Sequence, residues 1–113
     1  MSQGTTNLDG VVEAEIITLA EDLTSKNTSE FRAQVSLALE EGKNQMILDC
    51  KALKTISSEG LETLLWVIEE VHATGGVVKI AALGKTPEKI FNITQFDRIF
   101  DIYSDVIAAL KNL

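Results

Sequence analysis

Few residue types in this 113-residue chain could do chemistry. One cysteine, Cys50, and one histidine, His72, are too few for a first-row metal site of ordinary composition. The two could still form a nucleophile–base pair. His72, however, falls beside the apolar stripe of its helix, which predicts a packed, partly buried ring. Cys50 ends an apolar strand, where a buried, inert thiol is expected. The 17 acidic residues show no HxxxH or EF-hand spacing. Nothing selects two of them as an acid–base pair. Gly75-Gly76 precedes a strand and does not open a helix, so it makes no phosphate loop. What remains is Ser57 and Ser58 at the start of a helix. A hydroxyl there either caps the helix or accepts a phosphate. The residues therefore point to a binding protein with no catalytic group, cofactor or metal.

The elements that position these serines are a strand and a helix. Residues 46–50 (Met-Ile-Leu-Asp-Cys) are nearly continuous apolar, which suits a strand covered on both faces. In the following helix Leu61, Leu64, Leu65, Ile68 and Val71 recur at helical spacing. Ser58 is the expected N-cap, and Glu59 and Glu62 follow where the helix dipole favours carboxylates. At 100° per residue, Glu59, Glu62, Thr63, Trp66 and Glu70 fall in an arc of roughly 100° opposite Leu61 and Leu64. Trp66, the only tryptophan, reads either as packing on a second helix or as an aromatic anchor for a partner, with acids at its rim.

Composition narrows the partners. The net charge of −7 disfavours a nucleic-acid backbone and an anionic membrane surface. It suits a basic protein surface. No apolar run approaches the roughly 18 residues of a membrane span, and no signal-peptide pattern opens the chain. One cysteine allows no internal disulfide. A cytoplasmic protein of one domain, residues 1–113, is expected.

Along the chain, residues 1–10 read as a frayed start or a short edge strand near Leu8. Residues 11–19 are β-branched and read as a strand. Residues 21–26 read as a polar loop. Asn27 and Glu30 resemble a capping box before a helix with Phe31, Val35, Ala38 and Leu39 on one face, stopped by Gly42. After the central helix, Gly75-Gly76 leads into a buried strand over 77–82. Thr86-Pro87 is read as N-cap and first residue of a short helix with Ile90 and Phe91. Residues 92–96 are read as a linker and 99–103 as a last strand. Ser104 is expected to cap a helix bearing Val106, Ala109, Leu110 and Leu113. Strands alternating with helices predict an α/β fold with parallel pairing, the 46–50 strand central between the 11–19 and 77–82 strands.

Asp49, the loop after it, Ser57-Ser58-Glu59-Gly60-Leu61 and the helix that follows resemble the central motif of STAS domains: strand, loop, Asp-Ser-(Ser/Thr)-Gly-Leu, helix. Gly75-Gly76 before an apolar strand, and residues 93–103 ahead of Ala108-Ala109-Leu110, extend the resemblance over about residues 11–112. It implies the STAS fold, a small, mostly parallel (mixed) sheet with about four helices packed chiefly on one face. It also implies kinship with bacterial anti-sigma factor antagonists, which bind an anti-sigma factor of GHKL kinase fold and are released by phosphorylation. Gly60, Leu61 and Ser58 match the motif. Ser57 stands at the motif's Asp, and Glu59 stands at the phosphoacceptor. The resemblance thus implies a partner surface of Asp22, Thr24, Ser57, Ser58, Glu59, Glu62, Thr63 and Trp66, with Ser58 or Ser57 as alternative acceptors. The acidic residue that such antagonists often carry after the first long strand falls near Thr24, beside Asp22. The other readings are a STAS subunit of a larger assembly (a phospholipid ABC-transport complex or a stressosome-like scaffold) and, third, a small enzyme. A homodimer stays open.

Overall fold

The computed structural model describes residues 5–8 and 12–113, with side chains from residue 14 onward. The elements run β1 (Thr5–Leu8), β2 (Val12–Thr18), β3 (Asp22–Leu23), α1 (Thr28–Glu40), β4 (Gln45–Asp49), β5 (Thr55–Ile56) and α2 (Ser58–Ala73). They continue with β6 (Val77–Ala81), α3 (Lys85–Thr94), a single 3-10 turn (Phe96–Arg98), β7 (Asp101–Tyr103) and α4 (Val106–Leu110). The main sheet has the order β1-β2-β4-β6-β7. β1 is antiparallel to β2, so of the two readings of this stretch, frayed start or edge strand near Leu8, residues 5–8 take the second. Every other pair in this sheet is parallel.

The central strand is the predicted one. β4 carries Met46, Ile47 and Leu48 fully buried, because helices cover both of its faces. Each later strand of the main sheet is added on the same side of its predecessor. Right-handed crossovers then deliver α1, α2 and α3 to one face. There Phe31, Val35, Leu64, Val67, Val71 and Phe91 join Met46, Leu48 and Ile80 in the main core. α4 lies alone on the other face, where Ala109 and Leu110 meet Ile47 and Ala81. The expectation of helices chiefly on one face holds.

Several local readings change. The predicted polar loop 21–26 contains β3, which pairs in parallel with β5 as a separate two-stranded sheet. Two residues are too few for any period to register. Asn27 is the N-cap of α1, but its side chain makes no cap bond. It turns back into the preceding loop, donating to the Asp22 carbonyl and accepting from the Thr24 N–H. α3 begins at Lys85 behind Gly84, placing Pro87 in the first turn, where a missing N–H goes unnoticed. It also runs through the predicted linker to Thr94 and stops at Gln95, which adopts a left-handed φ of 64°. The last strand shrinks to three residues, and Asp105, not Ser104, caps α4 by accepting from the Ala108 N–H at 2.8 Å. Gly42 stops α1 as expected. The Lys43 and Gly42 amides return to Ala38 and Leu39, a Schellman closure at φ 79°.

α3 is anchored by aromatic packing. Phe91 is 1% exposed. It meets Phe96 edge-on at 5.6 Å and Phe100 at 6.0 Å. Phe91→Ala should therefore lower stability by about 3–5 kcal/mol in urea unfolding, the usual cost of emptying a buried aromatic position. A loss below about 1 kcal/mol would mean that this cluster does not hold the helix.

Candidate functional site

The site is built where β3, β5 and the start of α2 meet. β5 ends at Ile56 and the chain enters the helix through Ser57. Ser57 is the N-cap: it is extended at ψ 173°, and its Oγ accepts from the Gly60 N–H at 3.1 Å. The sequence predicts the cap at Ser58. Adjacent serines look alike in sequence, but only Ser57 lies outside the helix with its oxygen aimed at the third helical amide. Ser58 is the first helical residue and is exposed.

Ser57 also ties the helix to β3. Its N–H donates to the Leu23 carbonyl at 3.0 Å, and its hydroxyl lies 3.4 Å from the same oxygen. Gly60 packs flat against that carbonyl. A Cβ at this position would overlap the Leu23 oxygen and lie 2.8 Å from the Ile56 Cγ2. The glycine is thus required by close approach.

β3 carries Asp22 and leads into Thr24, both half-buried. The turn is closed by Asn27, while the Thr24 hydroxyl lies 3.5 Å from the Asp22 carboxylate and accepts from the Lys26 N–H. The structure thereby brings Asp22 and Thr24 to the start of α2, next to Ser57. Glu59 and Glu62 are exposed on the first turns of the helix.

Thr63 does not share that outer face. It is 1% exposed. Its hydroxyl donates to the Glu59 carbonyl at 2.8 Å and accepts from Arg32 of α1 at 3.4 Å. The buried stripe of α2 is Gly60, Thr63, Leu64, Val67, Ile68 and Val71, rotated from the predicted one. Leu65 is 37% exposed and Leu61 only partly buried. A threonine whose hydroxyl is satisfied by its own helix behaves as an apolar residue of valine size. The same rotation exposes His72, predicted to be packed. His72 lies in the last turn of α2, which runs back from the carboxyl end of β4, so the paper dyad with Cys50 does not form.

Trp66 is half-buried against the main core. The Arg32 guanidinium lies 4.9 Å from its ring centroid, so one face of the indole is already taken. Arg32, which no sequence pattern singles out, is the cation that joins α1 to α2. It lies between Phe31 and Ala33 but outside the buried stripe of α1, so only the proximity of the two helices identifies it.

A groove of about 140 Å³ flanks the same loop between the end of β2 and α1, lined in part by Thr18, Leu19, Asn27, Glu30 and Phe31. Among the described residues Glu30 is its only titratable side chain, so they supply no acid–base pair there. Cys50 is buried, and that burial, with a smaller contribution from Asp49, pushes its thiol up to about 12. Among the described residues no helix is long and apolar enough to cross a membrane.

Three outcomes follow. Gly60→Ala should cost about 1–3 kcal/mol through overpacking against backbone that cannot yield. Ser57→Ala should cost about 1 kcal/mol as a lost cap. Both are read by denaturant unfolding, and a neutral Gly60→Ala would refute the close contact. Native Cys50 should resist a thiol reagent at pH 8 and react only on unfolding, because the thiolate is the nucleophile.

Comparison with known proteins agrees with this architecture. The STAS domain family model matches residues 5–109. A candidate anti-sigma factor antagonist of Thermotoga neapolitana is 26% identical over 105 residues, 91% of this chain and 93% of its own. Among solved structures, a candidate anti-sigma factor antagonist of Thermotoga maritima superposes with a TM-score of 0.79 at 21% identity, covering 96% of this chain and 91% of that one. The phosphorylated form of SpoIIAA, a Bacillus cell-fate determinant, superposes with a TM-score of 0.68 at 20% identity, covering 86% and 87%. These structural likenesses concern the fold. The chain belongs to the STAS domain family.

Proposed function

We propose that this STAS domain is a cytoplasmic, non-enzymatic regulator that docks on an anti-sigma factor of GHKL kinase fold, and that position 59 is outside phosphorylation control. The docking surface is the first turns of α2, with Ser57, Ser58, Glu59 and Glu62, and the adjoining Asp22–Thr24 turn. Thr63 belongs behind this surface and not on it. Trp66 contributes only its uncovered edge.

One observation carries the reading. An exposed carboxylate, Glu59, stands in the N-terminal turn of α2, at the position that resemblance to the STAS motif assigns to the phosphoacceptor. It has no hydroxyl to accept a phosphate. It places one negative charge where a phosphoserine would place about 1.5 to 2, with fewer acceptor oxygens. The Ser57 hydroxyl is engaged as the cap, and its phosphorylation would break the bond to Gly60. Ser58 is exposed, but a phosphate there would face Glu59 and Glu62. SpoIIAA, by contrast, is known in phosphorylated and unphosphorylated forms. A surface without a switch also suits a permanent subunit of a larger assembly, and co-purification from the native cell would separate the two. A GHKL-fold kinase supports the first reading, and a transporter ATPase or scaffold supports the second.

Glu59→Ser should change partner affinity by more than about tenfold, or about 1.4 kcal/mol, in titration calorimetry. Binding tightens if Glu59 mimics the released state and weakens if the partner offers a matching base. After incubation with the cognate kinase and ATP, mass spectrometry should find no stoichiometric phosphate on residues 57–59. Stoichiometric phosphate on Ser58 or Ser57 with loss of binding would sink the unswitched reading.

A further inference from the structure

The face of the sheet under α4 carries one residue out of keeping with its row. Ile16, Ile47, Lys79 and Asp101 stand side by side across β2, β4, β6 and β7. Lys79 is on an interior strand and only 6% exposed. Its Nζ donates to the Asp101 Oδ2 at 3.0 Å and to the Tyr103 hydroxyl at 3.3 Å, and it lies 5.2 Å from the centroid of the Tyr103 ring. Burial pulls its pKa down, but the Asp101 and Tyr103 hydrogen bonds and charges outweigh it, and the net direction is up. The ammonium is held in its charged form.

Only one member of this pair is buried: the Lys79 side chain is 8% exposed and that of Asp101 67%. Such a pair is a poor source of stability, because the desolvation of the ammonium offsets an attraction to a carboxylate that water still screens. Its best-attested use is to fix registry. β7 needs such a device. It has three residues, and its side chains define register weakly: Asp101 and Ile102 are exposed and Tyr103 is half-buried. Side chains alternate along a strand, so Asp101 and Tyr103 share the face on which Lys79 lies. A slip of one residue puts Ile102 on that face. A slip of two moves Asp101 along to Lys79's neighbours on the strand. Either leaves the ammonium without its carboxylate in a buried site, which is heavily penalised.

We propose that Lys79 is the register lock of the C-terminal unit: its buried ammonium selects one alignment of β7 on β6 and thereby seats α4. α4 follows β7 through only Ser104 and Asp105, and it places Ala109 and Leu110 against Ile47 and Ala81. A displaced β7 therefore displaces the helix that covers this face.

The test uses the whole chain. Lys79→Met keeps an unbranched side chain out to the ε carbon and removes the ammonium. It should fold with undiminished thermal stability, yet give doubled or broadened amide NMR signals over residues 99–113. Exchange of the Ala82 N–H, which donates to the Tyr103 carbonyl, should quicken by about tenfold or more, while the β2 and β4 amides keep wild-type rates. A single sharp set of signals with wild-type exchange at Ala82 overturns the lock. So does a Lys79→Met chain that fails to fold, because the charge would then supply stability and not alignment. Asp101→Asn, which leaves the ammonium without its carboxylate, should loosen the same segment and lower the melting temperature. The double variant should recover the melting temperature but not the single set of signals. An Asp101→Asn spectrum identical to wild type beyond residue 101 also rejects the proposal.

Discussion

The carbonyl of Leu23 is the contact on which the candidate site depends. It accepts the Ser57 N–H, and the Cα of Gly60 rests against it. Three separate stretches of chain are fixed by this one atom: the turn carrying Asp22 and Thr24, the end of β5, and the first turn of α2. A backbone carbonyl cannot rotate away as a side chain can, so the distance between loop and helix is set by the absence of a Cβ at residue 60. The glycine of the STAS motif thus has a packing reason in this chain. It lets a helix end approach a neighbouring strand closely enough for the strand's own turn to join the surface.

The sheet explains why the two halves of that surface lie at the same end. Every crossover from β2 to β7 moves in one direction and returns over the same face, so α1 and α2 both begin at the carboxyl ends of the parallel strands. Asn27 and Ser57, their N-caps, are therefore neighbours by topology. The strand order never reverses, so the sheet lacks the crevice that opens at a switch point in doubly wound folds. A surface made of helix starts and a turn, without a deep cleft behind it, suits contact with another protein better than enclosure of a small molecule.

The sequence was legible where burial is complete and periodic. β4 and β6 announce themselves as apolar runs, and the Schellman glycines at 42 and 75 mark helix ends because a left-handed φ leaves few alternatives. It was opaque where geometry chooses between equivalent residues. Ser57 and Ser58 have the same chemistry, and only the path out of β5 decides which one caps. Thr63 looks polar in the chain and is apolar in the fold, since the Glu59 carbonyl accepts its hydrogen bond. That single residue shifts the buried stripe of α2, carrying His72 to the surface and leaving Leu65 partly exposed. β3 and β5 escaped because a two-residue strand has no period. The lone Leu23 among polar neighbours was its only trace.

In the proposed function, the charge at residue 59 acts on recognition and not on folding. Glu59 is exposed, and in water two unit charges 4 Å apart interact by about 1 kcal/mol before salt reduces it further. The free protein is thus nearly indifferent to which residue stands there. When a partner covers the first turn of α2, water leaves and the effective dielectric falls. At a value near 20 the same pair is worth about 4 kcal/mol, against which the desolvation of both groups must be set. The balance turns on what the partner presents. A matching cation recovers the desolvation, and a carboxylate or an apolar wall leaves it unrecovered. Asp22, Glu59 and Glu62 make the rest of the rim acidic, so a partner without basic groups would meet several unpaired carboxylates at once. On the proposed docking mode, exposure in the free chain and burial against a partner would let one side chain set partner choice at almost no expense to the fold.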